Sequence, residues 1–464
     1  RSPLYEKDKM AGKTTPSSLT WLGSDNRLAR RVGRPMQRFL GIEAAGGVLL
    51  IVATVIAMVW ANSPWSSSYT DLWNTEIHLA LGDLLTLEHL GHPLTLGQFV
   101  NDVLMVIFFF VVGLEIKREL VMGELREFRA ALLPAAAALG GMVVPALIYF
   151  ALNSSGDASA GWGIPMATDI AFAVGVLSLL GPRIPTSLKI FLLTLAIVDD
   201  IGAILVIAIF YTEELAADWL LLAFAVVVVV RLLTKARVWY TPIYAVLGTV
   251  MWYAVFESGV HATIAGVVMG LLAPAKPLIK EDQQSETFQL SEVADVDAQS
   301  LRRMAFEISE TVPVTERLEN LLHPLTGFVI LPLFALANAG IVLSVDSITT
   351  AASSGITLGV SLGLVAGKII GVSVFTLLAV RFGLCSLPSG ASSRHVVGVA
   401  AMAGIGFTVS LFITGLAFSD PVLQDEAKIG ILVASLLAAL VGAFILRGAK
   451  PISEHVSVSE NAGI

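Results

Sequence analysis

Charge and cysteine are what this sequence has least of. Charged residues make up 14% of its 464 positions, where soluble domains carry roughly 25%, so a water-soluble body of this size would lack polar cover. The single cysteine, Cys385, excludes an intramolecular disulfide framework and any cysteine-cluster metal site. Positive charge is not in excess either. Lys and Arg number 29 against 37 Asp and Glu, a formal net charge of −8, which argues against nucleic acid as a partner. No short apolar stretch followed by a small-residue cleavage site precedes the first long apolar run, so no cleaved signal peptide is expected. Hydrophobic residues, by contrast, reach 55%. An all-α polytopic membrane protein, with the lipid bilayer as its solvent, is what these figures leave.

A helix crossing a ~30 Å hydrocarbon layer needs roughly 20 mostly apolar residues. Such runs lie near 41–61, 97–116, 130–152, 163–181, 188–211, 216–234, 238–256, 258–275, 323–345, 356–380, 395–419 and 428–447. They predict about twelve transmembrane helices. A count of ten or eleven stays open, because the eighth run is short and the second and fifth contain ionisable residues. If the N-terminus is cytoplasmic, all but two of the 29 Lys and Arg fall on inner segments, as the retention of positive loops in the cytoplasm requires. The exceptions are Lys428, on an outer connection, and Lys368, in mid-span.

The expected layout follows. A basic cytoplasmic tail over 1–40 lies along the anionic leaflet, and helices one to eight fill 41–275. A cytoplasmic loop over 276–322 carries an acidic insertion, read as disordered. Helices nine to twelve fill 323–447, and 448–464 is a second cytoplasmic tail. The outer segment 62–96 partly alternates, at Ile77, Leu79 and Leu81, and reads as a β-hairpin or a short surface helix.

A carboxylate inside a bilayer costs at least ~2.5 kcal/mol on insertion scales. Asp102, Asp169, Asp199, Asp200 and Lys368 nevertheless lie within apolar runs, and Glu115 closes one. The bland reading is helix–helix hydrogen bonding or a structural ion pair. Five or six such groups, mostly acids, point instead to an ion path. Asp199 and Asp200 are adjacent in LTLAIVDDIGAILVIAIFY, so their side chains leave a helix about 100° apart. One carboxylate can line a water-filled funnel while the other reaches the only mid-membrane cation. This predicts an Asp199–Lys368 pair with Asp200 as the more accessible Na⁺ ligand; the swapped assignment stays open. Dehydration and a like-charged neighbour favour a carboxyl's protonated form, so Na⁺ and H⁺ would compete for the same oxygens. An intramembrane aspartyl protease is disfavoured, because that chemistry needs two carboxyls facing each other from different elements.

In GWGIPMATDIAFAVGVLSLLG, Pro165 precedes Thr168 and Asp169. Proline removes a helix donor and clashes with the preceding turn, which predicts an interruption here, or else an ordinary kink. Aligning Asp169–Val174 with Gly404–Val409 matches Ile, Phe and Val in a span of opposite expected orientation. Interrupted spans in antiparallel correspondence mark the binding site of inverted-repeat transporters. Elsewhere, Glu115, Arg118 and Glu119 share one helix face at the expected cytoplasmic mouth, where Glu319 and His323 can join them. Asp102 marks the other end of that helix. His261 reads as an interfacial packing residue.

The stretches FVNDVLMVIFFFVVGLEIKREL, IPMATDIAFAVGVLSLLG, LKIFLLTLAIVDDIGAILVIAIFYT, SGVHATIAGVVMG, RLENLLHPLTGFVILPLFALANAG and AGIGFTVSLFI closely resemble the bacterial NhaA-type sodium/proton antiporters, over about residues 40–447. That family is among those from which the inverted-repeat rule is drawn. The resemblance implies twelve helices with inverted repeats, discontinuous fourth and eleventh helices, residence in the bacterial plasma membrane, and electrogenic export of Na⁺, and of Li⁺, for H⁺. It places Asp199 and Asp200 on the ion-binding pair, Thr168 and Asp169 at the unwound crossing, and Lys368 on the associated lysine. Glu115, Arg118, Glu119, Glu319 and His323 match positions linked to pH activation, and His261 matches a histidine near the outer face. Segment 62–96 matches a dimerising hairpin, so a homodimer is implied.

Asn320 replaces a histidine of a well-known relative, and the loop from Lys276 to Arg317 is longer than in that relative. Both departures lie at the pH-responsive mouth. The expected function is a secondary antiporter, not an enzyme, without a cofactor, that supports intracellular pH and sodium homeostasis. A passive cation channel and a transport-dead signalling protein are the alternatives from other classes.

Overall fold

Long apolar helices dominate the computed structural model, which describes residues 45–78, 88–89, 92–180, 184–212, 215–238, 240–277, 297, 305–306 and 308–449. The expectations for the basic tail over 1–40, for the acidic insertion after Lys280 and for nearly all of the C-terminal tail lie outside these residues.

Seven described helices are long and apolar enough to cross a membrane: Leu96–Val121, Phe128–Leu152, Thr186–Phe210, Ala217–Lys235, Val314–Asn338, Gly355–Arg381 and Pro421–Arg447. Three bent pairs raise the number to as many as ten: Ala45–Ala61 with Ser66–Trp73, Asp157–Met166 with Ile170–Leu179, and Ser393–Ala403 with Phe407–Ala417. The protein is therefore a multi-pass membrane protein. Thr241–Glu257 and Thr263–Leu272 also form helices, of 17 and 10 residues. Neither is among the ten counted above, against the twelve spans predicted.

One boundary is corrected, and in the outer segment both expected alternatives occur. The ninth run was placed at 323–345, but its helix begins at Val314 and ends at Asn338. Its first three turns are amphipathic, so Glu316, Arg317 and Glu319 conceal the start from an apolar count. Pro324 lies inside this helix, two residues before the π-turn Thr326–Ile330. The outer segment holds both candidate structures: the helix Ser66–Trp73, and a three-stranded antiparallel sheet in which His92–Thr95 pairs with Glu76–Ile77 on one side and Glu88–His89 on the other.

Apolar side chains cannot drive helices together in lipid, so close backbone contact does much of the work. Along one seam, Gly113 of Leu96–Val121 meets Thr263–Leu272. A Cβ at Gly113 would lie 2.6 Å from the Val267 carbonyl, and one at Gly270 2.6 Å from that of Phe110. A second seam runs between Phe128–Leu152 and Gly355–Arg381, where Gly140 and Gly371 face each other's carbonyls and Gly367 abuts Pro145. Gly113→Ala is expected to cost about 1–3 kcal/mol through overpacking, read as a lowered thermal midpoint in detergent. Gly415→Ala, which meets nothing within 4 Å, should leave that midpoint unchanged or slightly raised.

Candidate functional site

The two bent pairs in mid-protein interrupt their helices at the same place. The 3-10 helix Asp157–Met166 gives way at Ala167 to extended backbone and resumes as an α-helix at Ile170, with a bend of 43°. Ser393–Ala403 breaks over Gly404–Gly406 and resumes at Phe407, bent by 45°. The breaks touch: the Asp169 amide donates to the Ile405 carbonyl at 2.6 Å. Only a residue without a side chain fits at Gly404, whose Cβ would run into the Leu364 carbonyl.

Asp169 sits at the start of both resumed helices. Its Oδ1 accepts from the Phe172 amide at 3.0 Å, capping Ile170–Leu179. Its Oδ2 accepts from the Thr408 amide at 2.9 Å and the Thr408 hydroxyl at 2.6 Å, at the head of Phe407–Ala417. One carboxylate thus offsets the positive ends of two helix dipoles and satisfies donors that the breaks release.

Thr168 stands on the other side of the crossing. Its hydroxyl lies 2.8 Å from the Ala403 carbonyl, the last turn of the preceding half-helix, and 2.8 Å from Asp199 Oδ2. Having one proton, it donates to one of them at a time. Lys368 donates to Asp199 Oδ2 at 2.6 Å and to Thr168 Oγ1 at 3.1 Å. Of the two adjacent aspartates, then, Asp199 meets the cation. Lys368 and Asp199 are wholly buried. The lysine stem lies against bare backbone, where a Cβ at Gly141 would be 3.6 Å from its Cδ and Nζ. Lys368 begins directly after a π-turn at Gly363–Gly367, packed against Pro165 and Pro145. Such turns insert an extra residue and re-aim the side chains that follow.

Asp200 points elsewhere, as the 100° step demands. It is 5% exposed. Both Asp200 Oδ1 and Asp199 Oδ1 are buried oxygens to which no protein group donates. An unsatisfied buried acceptor is costly, and here two lie on neighbouring residues beside one ammonium group. The acceptor set suits a proton or a small hard cation completed by hydroxyl and carbonyl oxygens. Among the described residues no three His, Cys, Asp or Glu side chains converge as a metal-binding group.

The remaining candidates form separate clusters. Arg118 Nη1 donates to both oxygens of Glu319, at 2.6 and 2.7 Å, and its Nη2 lies 3.8 Å from Glu119. Glu115 is partly buried one turn further in, and His323 is exposed one turn beyond Glu319. Asp102 Oδ1 lies 3.7 Å from His261 Nε2. The His261 ring also contacts Thr263 Oγ1 at 2.9 Å and packs edge-on against Phe412.

Thr408 and the Ala403 carbonyl were not among the expected site residues. Thr408 stood within the sequence echo, opposite Ala173, and a hydroxyl beside a glycine-interrupted apolar run was the available signal.

Comparison with known proteins converges on one family. A sequence model described as Na+/H+ antiporter 1 matches residues 37–446. The chain is 50% identical over 419 residues to Na(+)/H(+) antiporter NhaA 3 of Frankia alni, covering 90% of this chain and 89% of that protein. It is 45% identical to Na(+)/H(+) antiporter NhaA 2 of Sorangium cellulosum, with 93% and 94% covered, and 44% identical to Na(+)/H(+) antiporter NhaA 2 of Syntrophotalea carbinolica, with 91% and 98% covered. With a family model matched over residues 37–446 and relatives at 44–50% identity over about nine-tenths of its length, the chain belongs to the Na+/H+ antiporter 1 family.

Proposed function

We propose that the chain is an electrogenic secondary antiporter of the bacterial plasma membrane that exports Na⁺, and Li⁺ as well, in exchange for a larger number of protons. The observation that carries this reading is the buried Asp200 oxygen without a donor, beside an Asp199 already held by Lys368. Such a site gains by taking up either a cation or a proton, and one occupant electrostatically displaces the other. If the loaded site faces each side in turn, exchange follows from that competition alone. Asp200 and Asp199 serve as Na⁺ ligands, with Thr168 contributing its hydroxyl. Lys368 returns to Asp199 when the ion leaves, and Asp169 fixes the crossing.

The same reading takes the two breaks as discontinuous fourth and eleventh helices of a twelve-span inverted repeat with both termini cytoplasmic. Residues 1–40 and 448–464 are then cytoplasmic tails and 276–322 a cytoplasmic loop. The Arg118–Glu319 pair, with Glu115, Glu119 and His323, forms the pH-responsive mouth, and His261 with Asp102 the outer end. The sheet in 62–96 supplies a homodimer contact. In the cell such exchange supports sodium and pH homeostasis.

Reconstitution into sealed liposomes tests the exchange. An imposed Na⁺ gradient should drive protons against their own gradient, faster when the membrane potential favours net inward positive charge. Half-saturating Na⁺ should rise up to ~tenfold for each tenfold rise in proton concentration, per proton displaced. If both gradients merely dissipate without coupling, the protein is a channel and the reading is wrong.

A further inference from the structure

The outer half of the broken span is a 3-10 helix of ten residues, Asp157–Met166, although such helices rarely persist beyond three or four. Three carbonyls along it accept from hydroxyls on, or directly after, three other helices. Tyr149, at the end of Phe128–Leu152, donates to Ala158 O at 2.7 Å, and Tyr211, directly after the aspartate helix, to Ala160 O at 2.7 Å. Ser410, in Phe407–Ala417, donates to Ile164 O at 2.8 Å.

Tyr149 is fully buried. The segment leaves room for both phenols by omitting side chains: a Cβ at Gly161 would collide with the Tyr149 hydroxyl, and one at Gly163 would lie 2.8 Å from that of Tyr211. One turn beyond Tyr149, Asn153 donates to the Gly355 carbonyl at 2.8 Å, at the start of the helix that carries Lys368. The three elements bearing Thr168, Asp199 and Lys368 are therefore joined at one end by side-chain bonds to main-chain carbonyls. Each tether satisfies a main-chain acceptor that would otherwise need another donor.

We infer that Tyr149 and Tyr211 are positioning residues that set the height of Thr168 against Asp199, and through it the affinity of the site for Na⁺. The inference rests on the exchange reading above for its ion, but not on coupling. Neither phenol touches the charge cluster, and each acts through the pitch of residues 157–166.

Tyr149→Phe, Tyr211→Phe and the double variant of the full chain provide the test, each with Ser410→Ala as a parallel variant that cuts the third tether should a phenylalanine version fail to fold. Na⁺ binding is read from Na⁺-dependent thermal stabilisation, and proton movement in liposomes gives half-saturating Na⁺, half-saturating Li⁺ and maximal rate. Each single change should raise half-saturating Na⁺ about three- to tenfold, as the loss of one well-made hydrogen bond allows. The double change should raise it further and alter the Li⁺-to-Na⁺ ratio, with maximal rate within about twofold of the parent. Variants that bind Na⁺ and Li⁺ as the parent does, whatever their melting midpoint, overturn the inference. So does a fall in maximal rate alone. A parent that binds Na⁺ without moving protons overturns the exchange reading and leaves the affinity comparison decisive for this one; a parent whose stability ignores Na⁺ overturns both.

Discussion

Asp200→Asn should lower Na⁺-driven proton movement at least ~100-fold, because losing one partner of a buried charged contact costs about 3 kcal/mol or more. The amide keeps an oxygen of the same reach, so the packing around a residue that is 5% exposed is retained while its charge goes. Two consequences separate this from general damage. Na⁺-dependent thermal stabilisation should vanish, and the melting midpoint without Na⁺ should hold or rise, since a buried carboxylate beside Asp199 has been made neutral. Exchange that persists with an unchanged dependence on Na⁺ would remove Asp200 from the ligand role.

Lys368→Met should act on stability first. The side chain is fully buried and donates to both Asp199 and Thr168, so its loss strands a charged acceptor and is expected to cost about 3–5 kcal/mol. Methionine fills much of the same volume, which confines the effect to the ammonium group. The companion test is Asp199→Asn with Lys368→Met. Removing both members takes away the uncompensated charge, and the double variant should recover a large part of the lost thermal midpoint. Equal midpoints for the parent and the single variant would show that the pair contributes nothing to holding the crossing together.

How much of this was legible in the sequence follows from what each feature depends on. A charge within an apolar run is a local property, so Asp169, Asp199, Asp200 and Lys368 stood out at once. The 100° step between neighbours further separated the two aspartates. Pro165 and the glycines at 404 and 406 marked the breaks for the same local reason. The tethers were hidden because each joins distant residues: Thr408 lies 239 positions from Asp169, and Ser410 lies 246 from Ile164. A tyrosine at a helix end has many ordinary uses, and nothing near Tyr149 announces the carbonyl it meets. The π-turn before Lys368 escaped notice because its glycines serve packing against Pro165 and Pro145, which only the folded chain displays. The start of Val314–Asn338 was missed because polar residues occupy its first turns, and in the outer segment Leu79 and Leu81 lie outside the described residues.

The glycine seams carry a consequence for motion. Where Gly113 rests on Val267, and where Gly140 and Gly371 rest on each other's main chain, main chain meets main chain. Helices coupled so tightly cannot slide lengthwise, because every step would drive a carbonyl into the next residue's Cβ. Whatever displacement carries an ion across must therefore move each couple as one stiff rod, with the slip taken up where longer side chains such as Phe109 and Phe412 meet. A disulfide placed across either seam would then arrest nothing.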